Sequence, residues 1–413
     1  MKRGTKKFIA QRIIKLITLL IALCIITFVL MELSPIDPVT AYVGASTKVG
    51  AEQRALIAEH WGLNEPPVER FLAWFTSIVK GDWGTSMIYR RPVLEVIGQK
   101  FLSSLALMGI AWVLSGIIGF VLGIIAGVKE GKLADKLIHA YCHILISTPT
   151  FWLGILFIMI FAVTLGWFPV AMSVPVGVLA SEVSIWDKIS HIILPALTLS
   201  VLGIANICLH TREKVSDVMG SEYILFAKAR GESPWKLISN HVIKNVALPA
   251  VTLQFLSFSE LFGGAIFVEQ VFSYPGLGQA VVQSGLRGDL PLLMGIVIIS
   301  LIFVYTGNFV ADILYRVIDP RLREGRLGIR ERTILSISIF AVFFTAILIA
   351  GSLIGEDALY VELGNIFAPP GIGHIFGTDW VGRDMLVRTL KGLSLSMKIG
   401  LLCSVTSSLI AVV

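Results

Sequence analysis

The sequence predicts an all-α, polytopic membrane protein with about seven to eight transmembrane helices. Of its 413 residues, 55% are hydrophobic and only 15% are charged, and the mean hydropathy is +0.82. The apolar residues form seven long runs and a partial eighth, and a hydrocarbon core about 30 Å thick needs roughly 20 helical residues to cross it. Helices are expected because lipid offers the backbone no hydrogen-bond partner. The runs lie at residues 16–33, 101–127, 137–166, 192–209, 247–268, 291–317, 334–354 and 393–413.

The sequence gives no support to catalytic, metal or cofactor chemistry. His139 and His143 share a helix face, but two neutral histidine ligands by themselves favour helix packing over a metal site. No GxxxxGK[ST] phosphate loop occurs, since residues 127–133 have the wrong spacing and lack the hydroxyl. The cysteines lie inside apolar runs without CxxC spacing, so neither a disulfide framework nor a zinc site is expected. They are Cys24, Cys142, Cys208 and Cys403.

Basic residues predict the orientation of the chain. Cytoplasmic loops collect Lys and Arg, and the segments alternate between a set with 21 of these residues and a longer set with 12. We therefore expect the N-terminus in the cytoplasm. This bias accounts for the formal net charge of +6, so the charge does not indicate nucleic acid as a partner. The apolar runs make the lipid bilayer the expected partner.

The segment after the first run, residues 34–100, is here named the cap segment. It lies on the less basic side and is too long for a simple loop, so a small exported helical cap is expected between transmembrane helices 1 and 2. Helices are predicted at residues 51–60 and 68–80, with Gly62 and Gly81 at the helix ends. Residues 1–33 form the N-terminal segment and first span, and residues 101–323 form the core transmembrane domain.

The longest basic-side loop, residues 211–246, predicts a helix, a stop and a second helix. Ser221 can cap the first helix, Gly231 can end it in a left-handed conformation, and Pro234 suits the first turn of the second.

One face of that first helix is predicted to carry Tyr223, Phe226, Ala227 and Arg230, at i, i+3, i+4 and i+7 spacing. A short amphipathic helix with small Ala227 at its centre is suited to docking in a groove of a cytoplasmic partner. A helix lying on the membrane surface is the alternative interpretation.

The loop resembles the EAA loop of ABC importer permeases of the oligopeptide/dipeptide type. The resemblance rests on residues 226–231 (Phe-Ala-Lys-Ala-Arg-Gly) followed by His241, Asn245, Leu248-Pro249 and Thr252. In that family the loop is the coupling helix that sits in a cleft of a separate ATPase subunit. The resemblance therefore implies a type I importer permease fold and ATP hydrolysis on another protein. Leu225 stands where the general motif has Glu.

Other segments resemble the same subunit over residues 1 to about 323. Ser103 and Ser104 stand where the family has Pro-x-Thr, a difference that concerns packing. The matching segments are residues 35–38, 81–86, 147–152, 274–278, and 308–321 with Asn308, Asp312, Tyr315 and Asp319-Pro320-Arg321.

A second module is expected after a polar, basic junction at residues 324–333. Residues 374–384 (His-Ile-Phe-Gly-Thr-Asp-Trp-Val-Gly-Arg-Asp) resemble the exported segment of the partner permease, with Val387 in place of its usual Ser. Residues 334–413 would then be the truncated N-terminal part of a partner subunit fused to the first. This part ends before its own EAA loop, so we expect a full second permease subunit as a partner.

Two groups of polar residues are candidates for function. Glu260, Glu269 and Asp312 lie in or near spans, where ionisable groups line aqueous paths or bond neighbouring helices. The second group consists of exported residues that dock a substrate-binding protein or brace their own turns. It comprises Gly81, Asp82, Asp379, Arg383 and Asp384.

The resemblance implies the permease subunit of an ATP-driven importer in a bacterial or archaeal cytoplasmic membrane, which works with ATPase subunits and an extracytoplasmic binding protein. Relatives of this type handle peptides, nickel chelates, opines or glutathione, and the sequence does not choose among them. Two alternatives stay open. One is an ion-coupled secondary transporter with a relay of Glu260, Glu269, Asp312 and the two histidines. The other is a non-functional fragment of a fused gene.

Overall fold

A computed structural model of the chain describes residues 2–34, 36–43, 50–175, 183–318, 345, 347–349, 351–354, 366–371 and 373–412. It divides into two compact units, Leu20–Pro320 and a second made of Met1–Leu19 with Arg321–Val413. The described residues form helices without a β-strand, and isolated bridges join Thr85 to Pro92 and Thr378 to Asp384. The all-α prediction is confirmed.

The helices before the long loop are, in chain order, α1 (Lys2–Glu32), α2 (Pro38–Val43), α3 (Ala51–His60), α4 (Pro67–Val79), α5 (Val93–Val128), α6 (Leu133–Ser147) and α7 (Thr150–Phe157), which a π-helical turn extends to Thr164. Those after it are α8 (Ile185–Met219), α9 (Glu222–Ala229), α10 (Pro234–Leu237), a π-helical turn (Ile238–Val242), α11 (Ile243–Leu256), α12 (Phe258–Val271), α13 (Leu277–Leu286), α14 (Leu290–Ile318) and α15 (Met385–Val412).

Four of the described helices are long and apolar enough to cross a membrane: α1, α5, α8 and α14. Two broken helices pass the same test as pairs, which gives up to six spans. The first pair is α6 with α7, bent by 107°, and the second runs from α10 to α12, bent by 59°. The sixth run of the sequence analysis is α14. The seventh, residues 334–354, lies mostly outside the described residues.

Several predicted boundaries fall inside helices. α5 begins at Val93, so the boundary expected between residues 100 and 101 lies within it. α8 begins at Ile185 and continues to Met219, ten residues beyond the apolar run that predicted it. Hydropathy marks only the part of a helix that matches lipid, whereas hydrogen bonding continues the helix into the polar layer.

The main packing contact of the larger unit joins α5 and α8, which run parallel. Gly119 lies against Ile204 and Ile207, and Gly127 lies against Val215. Between them, a Cβ on Gly123 would stand 2.5 Å from Thr211 Cβ and 2.7 Å from Cys208 O. Small residues four apart in sequence therefore let the two backbones come into direct contact, as in membrane helix pairs. This stripe consists of Ser115, Gly119, Gly123 and Gly127.

The cap segment carries the helices that the sequence predicts. α3 has the predicted bounds, and α4 begins one residue earlier than expected, at Pro67. Gly62 (φ +63°) and Gly81 (φ +89°) follow these helices in the left-handed conformation, which favours glycine. A buried cluster of Cys24, Phe28, Met294 and Ile298, contacted by Phe71 and Trp74 of α4, packs the cap segment on α1 and α14.

Candidate functional site

A compact helix–turn–helix, α9 and α10, follows the long helix α8. Ser221 occupies the N-cap position of α9 as predicted, but its hydroxyl bonds a carbonyl of the preceding turn instead of an α9 amide. Gly231 ends the helix at φ +78°. Its amide donates to Lys228 O (2.9 Å), and the Glu232 amide donates to Ala227 O (3.2 Å). This pair of bonds is a Schellman motif, so the predicted stop at Gly231 is confirmed.

The buried side of this helix pair holds Ile224 (0% exposed), Ala227 (4%) and Leu237 (4%), which pack together beside the end of α8. The prediction that Ala227 lies at the centre of an exposed docking face is therefore wrong. Its small side chain lets α9 approach α10. In so short a helix, apolar residues at helical spacing can pack against a neighbouring helix of the same chain as well as in a groove of a partner protein.

The exposed side is named here the loop face and consists of Tyr223, Leu225, Phe226, Arg230 and Trp235. Phe226 is 66% exposed and Trp235 is 72% exposed. The Arg230 guanidinium lies over the Phe226 ring, 5.9 Å from its centre. Aromatic and arginine side chains of this kind dominate protein–protein interfaces, so the loop face has the composition of a docking surface.

Contacts behind the loop face hold its shape. His241 Nε2 lies 3.1 Å from Glu232 Oε2, and the Tyr223 and His241 rings lie 6.3 Å apart. Pro234 occupies the first turn of α10, as predicted. The turn between the helices is thus tied to the start of the next membrane helix.

Glu269, near the end of α12, is fully buried. Its carboxylate accepts from Ser104 Oγ of α5 (2.5 Å) and from the Gln279 amide of α13 (3.0 Å), while Ser104 Oγ accepts from the Leu277 amide (2.7 Å). A side chain on Gly276 would collide with the carboxyl group. Of the two predicted roles for Glu269, bonding between helices is the one that these contacts describe. Ser104 is part of this network, although the sequence analysis assigned its position to packing.

Glu260 is not brought together with Glu269. Glu260 is exposed, nine residues earlier on the same helix, a rise of about 13 Å. The side chain of Asp312 lies outside the described residues. His139 and His143 lie with ring centres 4.4 Å apart. No group of three or more His, Cys, Asp or Glu side chains suited to a metal ion is found in the described part of the chain.

Asp289, just before α14, was missed by the sequence analysis. It is fully buried and accepts from Ser86 Oγ (2.6 Å), the Ile88 amide (2.9 Å) and the Leu292 amide (3.2 Å). It therefore joins the cap segment to α14. An acidic residue directly before an apolar helix is a sequence signal for a helix N-cap. No pattern of neighbouring residues indicates that Ser86 and Ile88 of the cap segment bond to this carboxylate.

The acidic residues of the exported candidates brace their own turns. Asp82 accepts from the Gly84 amide (2.9 Å). Asp379 is 8% exposed and accepts from the Val381 and Arg383 amides, from Arg383 Nε (3.0 Å) and from Arg388.

These bonds set the pKa of Asp379. Burial alone would raise the pKa, but the backbone amides and the Arg383 guanidinium lower it to about 2. Asp384 accepts from His374 Nδ1 (2.9 Å) and from two amides that follow it, and its pKa is lowered as well because these bonds outweigh its burial. Bracing is the role that the geometry describes.

The long apolar helices define a multi-pass membrane protein. One family model, the binding-protein-dependent transport system inner membrane component, matches residues 119–324, and the N-terminal model of the same system matches residues 5–107. The chain belongs to this family and is a permease of an ABC importer. Family membership implies an ATPase and a substrate-binding protein as partners.

Two named relatives agree with this assignment. The oligopeptide transport system permease protein AppB of Bacillus subtilis (strain 168) is 34% identical over 316 residues, which are 76% of this chain and 98% of that protein. The glutathione transport system permease protein GsiC of Salmonella typhimurium is 34% identical over 317 residues, again 76% and 98%. A chain of the solved inward-facing MetNI methionine ABC transporter is 17% identical with a TM-score of 0.43, over 55% of this chain and 97% of that one.

Proposed function

We propose that residues 1–323 form a permease subunit that imports peptides, or a related small solute such as glutathione, an opine or a nickel chelate. ATP hydrolysis would take place on separate ATPase subunits that dock on the loop face. The N-terminus and the loop face would lie in the cytoplasm and the cap segment outside. Support for the solute class comes from the oligopeptide and glutathione permeases that share 34% identity with the chain.

The observation that carries the coupling proposal is the exposure of large apolar side chains on the helix pair α9 and α10. Leu225, Phe226 and Trp235 are each more than 60% exposed, and burying one such side chain in a partner contributes about 1.5–3 kcal/mol. A helix lying on lipid would also cover them. The basic residues around the loop are compatible with either location, so the test must detect the partner directly.

We further propose that residues 334–413 are the beginning of a partner permease joined through the junction at residues 324–333. Its support is the braced turn around Asp379, Arg383 and Asp384, where the sequence resembles the exported segment of such a partner. Both family matches end at or before residue 324. A complete second permease subunit remains an expected partner.

The test of coupling is a cysteine cross-link between Phe226→Cys and the ATPase of the same transport system, with and without ATP. Phe226 is suited to it because its side chain is exposed, whereas Ala227 is buried. Three native cysteines are buried and Cys403 is exposed, so the background variant is Cys403→Ser. A cross-link whose yield changes with nucleotide is the expected result.

Leu286→Cys is the matched control for this experiment. Leu286 is 64% exposed, close to the value for Phe226, but it lies at the end of α13. Under the proposal it is on the opposite side of the membrane and forms no link to the ATPase. Equal cross-linking at both positions, or none at Phe226→Cys in a folded complex, contradicts the coupling role.

A further inference from the structure

The cap segment lines an open cavity of about 790 Å³ in the larger unit. Its walls come from the end of α1, from α2, α3 and α4, and from the start of α14. This volume lies within the range of about 300–1,000 Å³ that is typical of sites for small molecules. The cavity is separate from the loop face, and the family assignment gives it no role.

Charges of both signs line this cavity. Arg54 of α3 pairs with Asp37, and Arg70 of α4 pairs with Glu32 through contacts of 3.0 and 3.2 Å. Glu65 adds a third carboxylate to the lining. A ligand that carries both a positive and a negative group can pair with both kinds of side chain in this set.

The two ion pairs differ in how firmly they are held. The Arg70 side chain is 15% exposed and lies over the Phe28 ring at 5.9 Å, so it is fixed by packing as well as by charge. Arg54 is 50% exposed and its partner Asp37 is 39% exposed. An exposed ion pair contributes only about 0–1 kcal/mol, so a ligand can replace one partner of the Arg54–Asp37 pair at little cost.

The remaining walls suit a peptide backbone between its charged ends. Trp61 and Trp74 line the cavity together with small side chains such as Ala58 and Ala73. Trp74 also packs against the buried cluster of Cys24, Phe28, Met294 and Ile298, so this wall of the cavity is held in place by the fold.

We infer that the cavity of the cap segment binds a short peptide with a free amino and a free carboxyl terminus. The carboxylate of the peptide pairs with Arg54, and its ammonium group pairs with the carboxylates of Asp37 and Glu65. The inference rests on the proposed import of peptides and deepens it. The permease itself then holds the solute on the exported side before the solute enters the membrane path.

The test is equilibrium dialysis of radiolabelled trialanine against the purified protein in detergent, without binding protein, ATPase or nucleotide. The expected result is saturable binding at one site. Arg54→Ala weakens it about tenfold or more, because a hydrogen bond to a charged group contributes about 1.5–3 kcal/mol. Ala58→Trp fills the cavity and abolishes binding. Arg91→Ala is the matched control, since Arg91 forms an equally exposed pair with Glu95 outside the cavity.

A second ligand separates recognition from mere structural support. Trialanine with an amidated carboxyl terminus binds the unaltered protein about tenfold more weakly, but binds Arg54→Ala as well as the free acid does. Absence of saturable binding to the unaltered protein overturns the inference, and so does an equal effect of amidation on both proteins. Neither result affects the Phe226→Cys cross-link, so failure of this site and failure of the coupling role are distinguishable.

Discussion

Replacing Gly123 by alanine tests the direct contact between α5 and α8. The new Cβ would stand 2.5 Å from Thr211 Cβ and 2.7 Å from Cys208 O, whereas ordinary contacts begin near 3.4 Å. The helices must therefore separate by about 1 Å, because a backbone carbonyl cannot rotate away. Overpacking of this kind costs about 1–3 kcal/mol, and the better helix propensity of alanine returns about 1 kcal/mol. We expect Gly123→Ala to be destabilised.

Gly109→Ala is the matched control on the same helix. Nothing lies within 4 Å of a Cβ at Gly109, so only the gain in helix propensity applies and this variant is expected to be as stable as the parent or more stable. The two variants should differ by about 1–3 kcal/mol. In a domain of 150–250 residues each kcal/mol shifts Tm by about 2–4 °C.

The assay is thermal unfolding of the detergent-solubilised protein, followed by the fraction that stays monodisperse on size-exclusion chromatography. Equal Tm values for the two alanine variants would refute direct backbone contact at Gly123. A lower Tm for Gly109→Ala alone would show that α5 packs on α8 through the face of Gly109 and not through that of Gly123.

Three further predictions concern the buried carboxylates. Glu269→Gln should lower Tm, because the new amide group turns a donor toward either the Ser104 hydroxyl or the Gln279 amide. The lost hydrogen bond should reduce the free energy of unfolding by about 1–3 kcal/mol, and an unchanged Tm would contradict the hydrogen-bond network around Glu269. Asp289→Ala should speed proteolytic cleavage of residues 80–92, since it removes the acceptor for the Ser86 hydroxyl; unchanged cleavage would show that other contacts hold this segment. The Asp379 pKa, lowered to about 2, lies below the unfolded value of about 3.9, so its contribution to the turn is complete above about pH 4 and is lost as pH falls toward 2. The protection of residues 377–385 from hydrogen exchange, corrected for intrinsic rates, should therefore stay constant from pH 8 to 4. Loss of protection within this range would contradict the predicted pH dependence.

The helical architecture follows from the sequence because it depends on local information. Long apolar runs require helices in lipid, and Gly62, Gly81 and Gly231 end helices where their flexibility is needed. All three have positive φ. Capping and hydropathy are properties of neighbouring residues, which explains why α3 was predicted with its observed bounds.

The polar networks depend instead on residues far apart in the chain. Ser104 and Glu269 are separated by 165 positions, and Ser86 and Asp289 by 203. Neither serine has a pattern that distinguishes it from a serine that packs against lipid. Ala227 was misplaced for a related reason, since a four-residue helix such as α10 is too short for its periodicity to reveal that it covers α9.

The break between α11 and α12 divides one candidate membrane span into two helical segments. From Pro234 to Leu256 the chain is helical through α10, the π-helical turn and α11. This segment has 23 residues and a length of about 34 Å. At its far end, Ser257 starts the 59° bend into α12, and α12 is clamped to α5 and α13 through Glu269. Gln254 bonds α11 to Trp112 of α5 just before this bend, so both segments of the bent helix are fastened to the same long helix.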